Sequence, residues 1–160
     1  MYTFKLFYHP IYTYGIDKNS KFPRERYELT KNKLEDRKVL VDFQKPDLAK
    51  VEDIILGHDK KYVNAFINGL LSQKEIRKIG LQPWKKEIID RTLYILGGSI
   101  EAMQSAVKGR NLAGNMAGGT HHAHFAYGSG YCIFNDLAIC AIKAVREFKE
   151  INNVLIIDLD

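Results

Sequence analysis

The chain has 160 residues, 46% of them hydrophobic and 27% charged, with a formal net charge of +5. That balance fits one globular domain and excludes an intrinsically disordered chain. The positive charges are dispersed, with no run of five like charges, so they read as a solvated surface and direct nucleic-acid binding is not expected.

Residues 3–8 are short, apolar and aromatic, and read as a strand closed by Pro10. Residues 11–23 mix polar and aromatic types and read as a loop. Residues 24–37 read as a helix carrying Tyr27, Leu29 and Leu34, and Val39-Leu40-Val41 as a second short strand. Asp47 is an expected N-cap for a helix over 48–56, ended by Gly57. Asp59 is expected to cap the next helix, whose apolar face holds Tyr62, Val63, Phe66, Ile67, Leu70 and Leu71.

Residues 80–84 form a loop with Pro83, where Trp84 reads as core rather than pocket rim. A long helix is expected over 85–107. Ile89, Leu93, Leu96, Ile100 and Met103 give it a core stripe, and Gly97-Gly98 gives it a close contact with a neighbour. Residues 111–117 read as a strand and 118–131 as a glycine- and histidine-rich loop. A helix over 134–148 is expected to bury Leu137, Ala138, Ala141, Ile142 and Val145. Val154-Leu155-Ile156-Ile157, apolar at every position, reads as a central parallel strand buried on both faces. Strand, loop, helix and strand in succession imply a three-layer α/β fold with a mostly parallel central sheet.

Membrane spanning and export are not expected. The chain has no apolar run of 18 residues, and its start lacks the layout of a signal peptide. Cys132 and Cys140 make no disulfide framework and lack zinc-finger partners. A cytoplasmic setting is the expectation. No phosphate-binding glycine signature is present, so nucleotide binding has no support.

Two features carry chemistry. His121 and His122 follow Gly118-Gly119, whose glycines let the backbone lie close to a ligand. Adjacent imidazoles suit acid–base work or metal ligation, although a bare pair also fits two surface histidines in a flexible loop. Asp158 and Asp160, at the carboxyl end of the expected last strand, point the same way from an extended chain. Open α/β sheets bind ligands at that end, and carboxylates there suit a metal; a solvated turn is the plainer alternative.

Gly118-Gly119-Thr120-His121-His122-Ala123, then Gly128-Ser129-Gly130-Tyr131-Cys132-Ile133-Phe134-Asn135-Asp136, then Ile156-Ile157-Asp158-Leu159-Asp160, resemble the histone deacetylase family in order and spacing. The likeness is nearest its small class IV-like and bacterial members. Weaker likeness runs over 51–63 and 91–100. The resemblance implies the arginase/deacetylase fold, with residues 1–160 as the N-terminal portion of a single domain, truncated at its C-terminal side. It implies Zn²⁺-dependent hydrolysis of acyl-lysine or a small acylated amine. Asp160 would be one zinc ligand, and the others would come from beyond residue 160. Asp158 would orient His121 and help hold a monovalent cation. His122 would be the general base and His121 its electrostatic partner. Gly130 and Tyr131 would line the acyl-lysine channel, Tyr131 standing where phenylalanine is commoner. Cys132 would either line the channel foot or be a buried inert thiol. Asn135 and Asp136 look structural, as do His9 and His58, and His124 reads as a loop histidine. The alternative expectation is a non-catalytic remnant or interaction module of a split deacetylase. Either way the chain by itself is expected to be inactive and to need a complementary C-terminal half.

Overall fold

In the computed structural model, residues 4–109 and 111–159 are described; Thr3, the first residue of the expected opening strand, and Asp160 lie outside them. Strands β1 (Phe4–Phe7), β2 (Val41–Gln44) and β3 (Ala113–Asn115) form one sheet in the order β2-β1-β3. Both pairings are parallel. Phe4 lies opposite Val41, and Phe7 lies opposite both Gln44 and Asn115. The expected α/β fold with a parallel sheet is therefore present.

The helices are α1 (Ile11–Tyr14), α2 (Arg26–Asp36), α3 (Val51–Ile54), α4 (Lys60–Ile67), α5 (Gln73–Ile79), α6 (Glu87–Gly109) and α7 (Asp136–Glu147). Helix α6 is the spine and packs on β1, β3, α1 and α7. The glycine pair makes those approaches possible. A methyl at Gly97 would lie 1.9 Å from the Asp47 carbonyl oxygen, and one at Gly98 would lie 2.7 Å from both the Asn115 amide oxygen and the Tyr12 hydroxyl. The main core gathers Ile54, Val63, Phe66, Ile79, Ile88, Leu96, Phe134 and Ile139. Trp84 packs edge-on against Phe66, with ring centroids 6.3 Å apart, as core rather than rim.

Several local expectations are corrected. Residues 11–14 are a helical turn, not loop, and bury Tyr12 and Thr13. β2 starts two residues late, because Lys38, at φ +52°, turns the chain after α2. Asp47 caps nothing. Its N–H donates to Glu101, and α3 begins only after Lys50. Asp59 caps α4 as expected, accepting from Lys61 and Tyr62 N–H. Leu70, expected on the apolar face of α4, lies beyond its end and is exposed. α5 was not expected, although Ser72 and Glu75 form a reciprocal cap at its start.

The buried line of α6 runs through Ile88, Thr92, Ile95 and Leu96, with Ile89 and Leu93 only half-buried. In α7 the buried residues are Asp136, Ile139, Lys143 and Ala144, while Val145 faces solvent. Lys143 is held by Asp53 at 2.6 Å and by Glu147.

The largest correction concerns 154–157. The segment is in no regular strand, and Leu155 and Ile157 are 83% and 73% exposed. Apolar character marks a buried strand only when neighbours flank it. No pairing for this segment, and none for the outer edge of β3, is recorded among the described residues. No described helix is long and apolar enough to cross a membrane.

Candidate active site

The loop after β3 presents the histidine pair. Gly118 has φ +138° and Gly119 φ +66°, the region that favours glycine. A side chain at Gly118 would also collide with the Asp136 carboxylate at 2.5 Å. That carboxylate is 2% exposed and gathers the turn. It accepts from Gly119 N–H at 3.1 Å, Thr120 N–H at 2.8 Å, the Thr120 hydroxyl at 2.7 Å and the Ser99 hydroxyl at 2.7 Å. Asn135 caps α7 through Ala138 N–H. The structural reading of both residues holds.

His121 and His122 face each other, Nε2 to Nε2, at 3.1 Å, with rings tilted by 57°. His121 Nδ1 lies 3.1 Å from Asp158 Oδ2. Asp158 thus reaches His121 although its segment is not in the sheet. A contact between two ring nitrogens needs one proton between them. With His121 Nδ1–H donated to Asp158, a neutral His121 offers a lone pair at Nε2, and His122 Nε2 carries the proton. Asp158, His121 and His122 therefore form a file along which a proton can pass.

Gly130 lies flat against the His122 ring, where a methyl would come within 3.1 Å of ring carbons. Ser129 donates to the His122 carbonyl at 2.7 Å. Tyr131, at φ +66°, is held by its N–H on the Ile79 carbonyl at 2.7 Å, and its ring meets Phe22 edge-on at 5.4 Å. It is 41% exposed, so water can serve its hydroxyl. These residues share a cavity of about 230 Å³ with Phe22, Arg26, Tyr27, Arg91 and Cys132. His121, His122, Gly130 and Tyr131 are thus brought to one place.

A profile described as the histone deacetylase domain matches residues 20–160. This chain belongs to the histone deacetylase family. It is 40% identical over 159 residues to an uncharacterized protein of Picosynechococcus sp., covering 98% of this chain and 52% of that one. It is 31% identical to the acetoin utilization protein AcuC of Staphylococcus aureus over 157 residues, covering 92% and 40%. With AcuC of Bacillus subtilis the identity is 31% over 164 residues, covering 96% and 42%. The chain spans about half the length of the curated relatives it matches.

As a deacetylase-family chain it was expected to offer Asp160 to a zinc ion, and Asp160 lies outside the described residues. Among the described residues no group of three or more His, Cys, Asp or Glu side chains could hold a metal. A zinc site needs three or four protein donors, so the described residues do not make one.

Five cavity residues escaped the sequence reading: Phe22, Arg26, Tyr27, Arg91 and Ile95. Arg91 is 4% exposed and donates to the Tyr12 carbonyl at 2.9 Å and the Tyr27 hydroxyl at 3.2 Å. Burial lowers its pKa against the opposing pull of Tyr27. The signal was a cation at position 91, on the core side of α6 between Ile88 and Ile95. His58 is buried and structural. Its Nδ1 meets the Phe125 carbonyl at 3.1 Å and its Nε2 accepts Asn135 N–H at 2.8 Å. His9 accepts from Ile11 N–H and stacks on Tyr94. His124 stacks on Tyr127 in the loop. Cys132 is buried, and burial pushes the Cys140 pKa up to about 12.

Proposed function

We propose that this chain carries the acid–base half of a deacetylase site that hydrolyses an acylated lysine or a small acylated amine. The observation that carries the reading is the file Asp158–His121–His122 beside a cavity lined by Gly130 and Tyr131. His122, in the Nδ1–H tautomer that leaves Nε2 unprotonated, takes the proton of the attacking water at Nε2 and then donates it across the 3.1 Å contact to His121 Nε2. His121, anchored at Nδ1 by Asp158, accepts the charge and returns a proton to the amine nitrogen as the C–N bond breaks. Water and amide thereby become carboxylate and ammonium, and positioned proton transfer of this kind contributes about 10²–10⁴-fold. The Gly130 carbonyl accepts the substrate amide N–H, and the Tyr131 ring packs the aliphatic stem.

Asp160 is proposed as one ligand of a Zn²⁺ ion, and a monovalent cation beside Asp158 belongs to the same proposal. The steps assigned to this chain are proton steps. The remaining zinc ligands are proposed to come from a complementary C-terminal half, and the setting to be cytoplasmic. The exposed apolar segment 154–159 favours such a half over a self-sufficient enzyme.

The test co-expresses the chain with a polypeptide supplying the rest of the family domain. Turnover of an acetyl-lysine peptide and an acetylated diamine is followed with added Zn²⁺. Activity is expected only in the complemented pair, with at least about a 10²-fold loss in His122→Ala. Turnover by the chain alone would sink the half-site reading. Complemented activity indifferent to His122→Ala would sink the catalytic assignment.

A further inference from the structure

A partly buried polar chain ends on the turn that carries the histidine pair. The Tyr12 hydroxyl, in α1, donates to the Asn115 side-chain oxygen at 2.9 Å. The Asn115 amide, in β3, donates to the Ser99 hydroxyl at 3.1 Å. Ser99, in α6, donates to Asp136 Oδ2 at 2.7 Å. Every donor points the same way, toward the carboxylate at the start of α7, and such chains polarise their members. The carboxylate then accepts the Gly119 and Thr120 N–H groups, the two peptide groups just before His121.

We propose that Asp136 is the positioning residue of the His121–His122 pair, fixing through Gly119 and Thr120 how the two imidazoles face each other. The proposal rests on the reading of that pair as the acid–base group. Its physical basis is the number and direction of the bonds. Four hydrogen bonds converge on the two oxygens of a carboxylate that is itself 2% exposed, so the turn is tied to Asp136 at several points at once. Gly98 leaves room for Asn115 and Tyr12 to meet above α6, and Gly118 leaves room for the carboxylate itself. The chain thereby ties α1, β3, α6 and α7 to one turn. Asn in place of Asp136 keeps the volume but turns an amide donor toward donors.

The test needs no turnover, so it can fail or succeed independently of the deacetylase reading. Ring-proton NMR of the five histidines is recorded for the full chain and for Asp136→Asn and Ser99→Ala. In the unaltered chain an inter-ring NOE joins His121 and His122. Asp136→Asn is expected to remove that NOE and to shift both rings, while His9, held by Ile11 N–H and stacked on Tyr94 at the other end of the chain of bonds, keeps its signals. Ser99→Ala, which removes one of the four bonds, is expected to shift the same two rings by less. If Asp136→Asn does not fold, Ser99→Ala decides: movement of His121 and His122 alone supports the proposal, and unmoved rings overturn it. An intact NOE in folded Asp136→Asn overturns it as well.

Discussion

Gly97→Ala sets two effects of opposite sign against each other. Alanine is the better helix former by about 1 kcal/mol, and position 97 lies mid-way along a 23-residue helix. The added methyl, however, would lie 1.9 Å from the Asp47 carbonyl oxygen and 3.2 Å from Ala49 N. Asp47 must therefore retreat by about 1.1 Å to reach the 3.0 Å limit of real Cβ contacts. The obstacle is backbone and cannot rotate away. Its movement also strains the Ala49 N–H to Leu93 carbonyl bond of 3.0 Å, worth about 1 kcal/mol. Overpacking of this kind costs about 1–3 kcal/mol, at its upper end when backbone must shift. The clash wins, for a net loss of about 2–3 kcal/mol. At about 2–4 °C per kcal/mol for a chain of this length, Tm should fall by about 4–12 °C. Thermal and urea unfolding followed by circular dichroism measure it. An unchanged or raised Tm would refute the close packing of α6 on the Asp47 segment.

His58 has its pKa lowered by burial below the ordinary 6.5. The unfolded chain therefore takes up that proton first, so stability is complete above about pH 6.5 and declines as pH falls below it. Urea unfolding between pH 7 and 5 should show this decline, and His58→Gln should flatten it; an identical slope in both proteins contradicts the assignment. Phe134 is 1% exposed and meets Tyr62 edge-on at 5.4 Å and Phe66 at 5.1 Å, so Phe134→Ala should cost about 3–5 kcal/mol. A loss under about 1 kcal/mol, measured by urea unfolding, would show that this cluster is not the core. Ser72→Ala removes the reciprocal cap of α5 and should cost about 1 kcal/mol, with Glu75→Ala adding little on top. Full additivity of the two in urea unfolding would contradict a shared cap.

Features set by a few neighbouring residues were legible without coordinates. Asp59 and Asn135 cap their helices because a short acceptor side chain before a helix reaches its first free N–H groups wherever the chain is placed. Gly97-Gly98 announced a close contact because only a missing side chain permits one. Residues 118–131 read as a glycine-hinged loop from residue type alone, whereas the acid–base expectation for His121-His122 came from the family resemblance and not from the bare pair. The cap of α5 was equally local, Ser72 followed by Glu75 three residues on, and was readable though not read.

Other features depended on what each side chain meets. α7 has apolar residues around most of its circumference, so its pattern does not single out Ile139 and Ala144 as the buried side; contact with α3 and α6 does. Arg91, Tyr27 and Phe22 enter the cavity because the packing of the fold gathers residues far apart in the chain, a placement no spacing encodes. The segment 154–157 has the composition of a central strand but stays exposed, since burial is a property of neighbours and not of the strand itself. The sequence by itself determined the family, through motifs spread along the chain, and the caps Asp59 and Asn135, which are products of short-range chemistry. Only the tertiary structure decided that Asp136 anchors the histidine turn and which residues wall the cavity, because those depend on distances between parts of the chain far apart in sequence; the 3.1 Å contact of Asp158 with His121 had been implied by the resemblance.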